Sequence, residues 1–312
     1  MSRRKRPERR ARTSAALQPA PAKTLRDSQG RLHLVLTRDP VSGNEAVALR
    51  APLFRETWQN ELTVGTANTA RALLRAAPSV ERTVELARNA MAATSRLAEA
   101  LLSRAPAGAV ACQAGCDHCC HQPVGLTPPE ALAIAAHLRQ TLGKGELAAV
   151  AARLAQRQRE TRGLSSAQRF SPDQPCPFLD QGRCSIYEVR PLACRGMNSL
   201  DAEECKTRLR DPEARAAFLA HGSGGRSYLE PIRAFHAISA GLQLGLSELY
   251  GLDMQPLELT LALDLLLNGP QSSSAEWLRG NHPFESALGG DNAVPELSGV
   301  LASARPEPKS PS

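Results

Sequence analysis

Residues 112–130 read C-Q-A-G-C-D-H-C-C-H-Q-P-V-G-L-T-P-P-E, and two kinds of signal meet in them. Cys112, Cys116, Cys119 and Cys120 set four thiols within nine residues. Thr127-Pro128-Pro129-Glu130 is a helix start, with an N-cap hydroxyl, proline at N1 and a glutamate at N3 that can reach back. The helix so opened should run to about Leu142 and stop at Gly143, with a second from roughly Glu146 to Arg162. Cys176, Cys184, Cys194 and Cys205 follow this helical spacer, so all eight cysteines of the chain lie between 112 and 205. The fold is therefore expected to be helical segments around an irregular, thiol-rich centre.

Outward from this stretch the periodicity stays helical. Ser79 can cap a helix to about Ser103, whose stripe Val80, Val84, Ala87, Met91, Ala98 and Leu101 has a 3.6-residue period. Residues 163–200 are irregular, with Pro172, Pro175, Pro177 and Pro191. Asp201 can cap a helix through Cys205 to about Leu209, and a short helix follows Pro212. Gly222, Gly224 and Gly225 mark a loop. Ile232, Phe235, Ile238, Leu242, Leu246 and Leu249 form the stripe of a core helix. Leu257 to Leu265 alternates as a strand would, but Pro256 and the lack of β-branched apolar residues favour a helix. Leu32–Leu36 and Ala46–Leu49 flank a Pro40–Asn44 turn and suggest a hairpin.

The expected organisation is a disordered basic tail over 1–26, a short β-hairpin and irregular segment over 27–65, a mainly helical domain over 66–290, and a flexible tail over 291–312. The fold class is thus mainly α, with a small N-terminal β-hairpin and the cysteine module at 112–206. The net charge of +7 belongs to the tail: residues 1–26 hold nine Lys or Arg against Glu8 alone, leaving 29 basic and 30 acidic groups elsewhere. No run approaches the ~18 apolar residues of a membrane span. The arginine-rich start has no apolar segment behind it, so it does not read as a secretory signal, and its prolines suit a mitochondrial presequence poorly. A cytoplasmic, reducing location is expected, where clustered cysteines read as metal or catalytic sites rather than disulfides.

Thiolates bind zinc and iron–sulfur clusters alike, and the spacing does not choose between them. Cys116-x₂-Cys119 is one knuckle, whereas Cys176/Cys184 and Cys194/Cys205 are too widely spaced for a second, which leans towards a cluster. Neighbouring Cys119 and Cys120 are harder to place on one mononuclear ion, because adjacent side chains diverge, and fit better if they serve two metals or if one bridges; eight thiols could supply two Cys₄ sites or one polynuclear site. All eight, Cys112, Cys116, Cys119, Cys120, Cys176, Cys184, Cys194 and Cys205, are candidate metal ligands, with His118 and His121 as substitutes. Arg190 and Arg195 flank Cys194 and are candidate cofactor-binding groups, able to offset thiolate charge or hold an anion. Tyr187 reads as a core aromatic. Unmetallated thiols or a disulfide switch are the bland alternatives, but closely held thiolates are costly without a cation.

C-Q-A-G-C-D-H-C-C-H-Q-P-V-G-L-T-P-P-E-A, followed by C-P-F-L-D-Q-G-R-C-S-I-Y-E-V-R-P-L-A-C-R, resembles the cysteine-cluster family named for its CxxCxxCC motif. The likeness covers about 112–206, with three residues rather than two between Cys112 and Cys116. It implies a zinc- or iron-chelating domain, often labelled an iron–sulfur protein. Cys112 to Cys120 correspond to the first block, Cys176, Cys184 and Cys194 to the second, with Cys205 just beyond. The domain type also occurs in flagellin lysine-N-methylase, so a protein methyltransferase is one alternative to plain metal binding.

An oxidoreductase is another cluster-dependent alternative, although Gly222-Ser223-Gly224-Gly225 follows no clear strand. Cys112, Cys116 and Cys119 also fit the radical S-adenosylmethionine spacing, but the chain lacks the pattern of a βα barrel. A third alternative is nucleic-acid binding with structural zinc, through Arg3, Arg4, Lys5, Arg6, Arg9, Arg10 and Arg12. Such a tail would attract phosphate without reading sequence. The expected partner is a metal ion or cluster, with no membrane.

Overall fold

The computed structural model describes residues 57–74, 78–106, 108–164, 166–221, 226–250 and 256–287, and three earlier strands. The chain divides into two units, Met1–Leu49 and Arg50–Ser312. In the first, β1 (Lys23–Arg26), β2 (Leu32–Arg38) and β3 (Glu45–Val47) form an antiparallel sheet in that order. Leu36 stands opposite both Lys23 and Val47. The turn at Pro40–Asn44, the arginines at 3–12, the glycines at 222–225 and the segment after 290 lie outside the described residues.

The second unit is mainly helical. It begins with α1 (Thr57–Leu74), whose second half lies in the domain expected to be helical from 66 and whose first half extends into the segment expected to be irregular. Thr63, Gly65, Thr66 and Thr69 are poor helix formers, so packing rather than propensity sets this element. Its partner, far along the chain, is α9 (Leu229–Tyr250). A Cβ on Gly241 would lie 2.5 Å from the Thr63 carbonyl, and one on Gly245 2.8 Å from that of Ala67. Bare glycine faces at i and i+4 therefore let the two backbones touch. The Thr63 hydroxyl donates to the Ala237 carbonyl at 3.1 Å across the same seam.

Helix α2 (Val80–Leu102) opens where Ser79 accepts from the Arg82 N–H at 3.2 Å, and Val84, Ala87, Met91 and Ala98 of its stripe are buried. After the short strand β4 (Gly125–Leu126), α3 (Pro128–Thr141) and α4 (Lys144–Thr161) form the spacer, close to the expected bounds. The irregular stretch holds a short helix α5 (Ser166–Arg169), the hairpin β5 (Leu179–Asp180) and β6 (Arg183–Cys184), a 3-10 turn at Tyr187–Val189, and α6 (Leu192–Gly196). Helices α7 (Ala202–Arg210) and α8 (Pro212–His221) follow.

Leu257–Glu258 is a strand, β7, paired with β4; α10 begins only at Leu259 and runs to Asn268. The alternating leucines are thus split between the two structures their pattern suggested. A final helix, α11, covers Ser273–Leu278. Leu74, Leu86, Met91, Ile134, Leu154, Phe178, Leu192, Ile238, Leu242, Leu246 and Trp277 are the largest fully buried side chains. Each contributes about 1.5–3 kcal/mol by leaving water. Because Phe178 and Leu192 come from the irregular stretch, that stretch is anchored to the helices.

Candidate metal centre

The first cysteine block is neither a helix nor an open loop. Cys116 closes a turn by donating to the Gln113 carbonyl at 3.0 Å, with Gly115 at a φ of 90° that a larger residue would resist. A 3-10 turn over His118–His121 follows, fixed by Cys120 N–H to the Asp117 carbonyl at 2.7 Å. Upstream, Ala111 N–H donates to the Ser199 carbonyl at 2.8 Å, and Ser199 N–H donates to Cys112 Sγ at 3.3 Å.

The second block joins the first through the backbone: Cys176 N–H donates to the Cys120 carbonyl at 2.7 Å. The β5–β6 hairpin then turns on Gln181 and Gly182, both at positive φ, as a two-residue hairpin requires. This pairs Leu179 with Cys184. A Cβ on Gly182 would come within 3.7 Å of the Gly115 carbonyl, so the hairpin tip abuts the first block. Cys194 rides on α6, which presses onto α9 at Gly196, where a Cβ would sit 2.8 Å from the Pro231 carbonyl. Asp201 caps α7 by accepting from Glu203 N–H at 2.9 Å and Glu204 N–H at 3.1 Å, and α7 carries Cys205 beside the 3-10 turn.

Two buried carboxylates hold this frame. Glu130 Oε2 accepts from the Thr127 N–H and hydroxyl, both at 2.8 Å, while Oε1 accepts from Leu192 N–H at 2.7 Å. One side chain therefore starts α3 and fixes the entry to α6. Glu258 pairs with Arg169 at 2.9 Å, both buried, and lines a cavity of about 20 Å³ next to Cys176, room for a single water.

Cys112 and Cys119 are exposed, and the other six cysteines are partly buried. Burial pushes the Cys176 thiol up to about 12, and holds Cys194 well above its ordinary value. Contact with the Cys120 thiol, then burial, raises Cys119. These thiols stay protonated at neutral pH unless a cation replaces the proton. Among the described residues, no three His, Cys, Asp or Glu side chains stand close enough together to hold an ion. Hydrogen bonds join the Cys112 segment to Ser199 and the Cys120 segment to Cys176, and the sulfurs would have to turn towards one another to share an ion.

The donor set nonetheless fits a soft metal: sulfur is abundant, and two polar atoms nearby are buried without a hydrogen-bond partner, His121 Nδ1 and Arg190 Nε. The charge of Arg190 also favours the thiolates of Cys184 and Cys194, against the larger effect of burial. Its guanidinium carbon lies 3.8 Å from the centre of the Tyr187 ring. Tyr187 itself is 60% exposed, not a core residue, because it serves as the platform for this arginine. Arg195 is occupied differently. Its Nε donates to the Arg190 carbonyl at 2.8 Å, and its two Nη atoms donate to Ser95 Oγ and the Glu188 carbonyl. Burial, then Arg190, lowers its pKa to about 10.

Arg208, not singled out in the sequence, donates to Cys205 Sγ at 3.1 Å. Its signal was legible: it lies three residues after Cys205 on a helix opened by Asp201. No curated protein and no solved structure gives a significant match to this chain. The cysteine-rich third is recognised by itself: residues 111–211 match the family model CxxCxxCC, described as "Putative zinc- or iron-chelating domain".

Proposed function

We propose that this protein chelates zinc or an iron–sulfur cluster in a reducing cytoplasmic setting, with Cys112, Cys116, Cys119, Cys120, Cys176, Cys184, Cys194 and Cys205 as its ligands. The observation carrying this reading is the junction at Cys120. Its carbonyl accepts the Cys176 N–H at 2.7 Å, so cysteines 56 positions apart in sequence share one neighbourhood. A bound metal would supply the positive charge that lets these buried sulfurs ionise. Arg190 adds charge from the protein, and Arg195 positions it by holding its carbonyl.

Anaerobic purification with metal and sulfide analysis and a visible spectrum tests the reading. Zinc near stoichiometric in a colourless sample, or iron with acid-labile sulfide and absorbance near ~400 nm, supports it. Cys116→Ser and Cys119→Ser should each lower metal content and melting temperature together. A folded chain that contains neither metal, and takes up neither, rejects it.

A further inference from the structure

Spacing alone allows the eight thiols to serve one polynuclear centre or two separate ones. We propose two: Cys112, Cys116 and Cys205 form one thiolate centre with α7, and Cys176, Cys184 and Cys194 form another with the β5–β6 hairpin and α6. The vicinal pair Cys119–Cys120 lies between them and completes both. This partition rests on the chelating function proposed above.

Backbone connections define the two groups. The Ala111 and Ser199 hydrogen bonds fix Cys112 just before the Asp201 cap, and Cys205 lies one turn into the helix that this cap opens. That helix sits against the His118–His121 turn, bringing Cys205 to the first block. Cys176 and Cys184 instead bracket the hairpin: Leu179 donates to the Cys176 carbonyl at 2.9 Å and faces Cys184 in register. Cys194 follows on α6, whose entry Glu130 fixes.

Side-chain contacts divide along the same line. Arg208 donates to Cys205 Sγ at 3.1 Å in the first set. Arg190, in the segment between the hairpin and α6, keeps a buried Nε without a hydrogen-bond partner in the second. Four thiolates around a divalent ion leave a net charge of −2, so a guanidinium beside each centre is favourable.

Zinc is the probe. The full-length chain, reduced, stripped and reloaded with zinc, is counted by native mass spectrometry, which requires no variant. The expected result is two zinc ions per chain. In Cys112→Ser/Cys205→Ser and in Cys176→Ser/Cys184→Ser, each with helical circular dichroism retained, one ion should remain. A wild type holding one ion, or either double variant losing both while still helical, overturns the partition and leaves chelation standing. A folded wild type that takes up neither zinc nor iron overturns both.

Discussion

Replacing Glu130 with alanine tests the link between the helical scaffold and the cysteine module. The carboxylate serves two buried backbone N–H groups, Thr127 and Leu192, as well as the Thr127 hydroxyl. Each N–H left buried and unpaired costs ~1–3 kcal/mol, so Glu130→Ala should lose on the order of 2–6 kcal/mol. At ~2–4 °C per kcal/mol for a chain of this size, the melting midpoint falls by roughly 10 °C. Wild type and variant must be compared at equal metal loading, because ligand binding itself raises the midpoint.

The pH dependence sharpens the test. Burial raises the Glu130 carboxyl above 4.5, against the opposing Leu192 and Thr127 hydrogen bonds and the Arg195 charge. A folded pKa above the unfolded one means the native protein holds the proton more tightly. That stability is fully present below the unfolded pKa and is lost as pH rises through the raised value. The advantage of wild type over the non-titrating Glu130→Gln should therefore be largest at acid pH and narrow upward. Urea unfolding at a series of pH values measures it, and the difference cancels metal effects common to both proteins. A midpoint for Glu130→Ala within about 2 °C of wild type would refute the account of the buried hydrogen bonds. An advantage that grows with pH would refute the account of the carboxyl.

Other outcomes follow from neighbouring features. Arg169→Met leaves Glu258 buried and unpaired and should cost ~3–5 kcal/mol by denaturant unfolding, with much of the loss recovered in Arg169→Met/Glu258→Gln. Gly241→Ala places a methyl against the Thr63 carbonyl and should destabilise the chain by ~1–3 kcal/mol while zinc per folded chain is unchanged. Arg208→Gln removes a charged donor from Cys205; about 1 kcal/mol after solvent screening corresponds to roughly fivefold weaker zinc binding in a competition titration.

Local chemistry made much of this fold readable. The hydroxyl of Ser79 and the carboxylates of Glu130 and Asp201 act within three residues of themselves, and the helices they open begin where the sequence indicated. The first half of α1 was hidden because its threonines and glycine are poor formers, and what holds it is the bare face of α9, far along the chain. The candidate ligands could be read as residue types and spacings. The placement of their segments could not, since it depends on bonds such as Ser199 to Cys112 across 87 positions. The distinct duties of Arg190 and Arg195 were also invisible, because the second is committed to Ser95, a hundred residues upstream.

The spacer between the two blocks has a consequence for the order of events during maturation. Helices α3 and α4 are adjacent in sequence, and helical elements form within microseconds. Closing an otherwise flexible segment of 55 residues costs about 3.5 kcal/mol of chain entropy, and scaffold packing against α2 and α10 helps meet that cost before capture. If the thiols chelate as proposed, the incoming ion meets two blocks already joined at the Cys120 carbonyl, so stopped-flow uptake by the reduced apoprotein should scale with zinc concentration and show no slow lag.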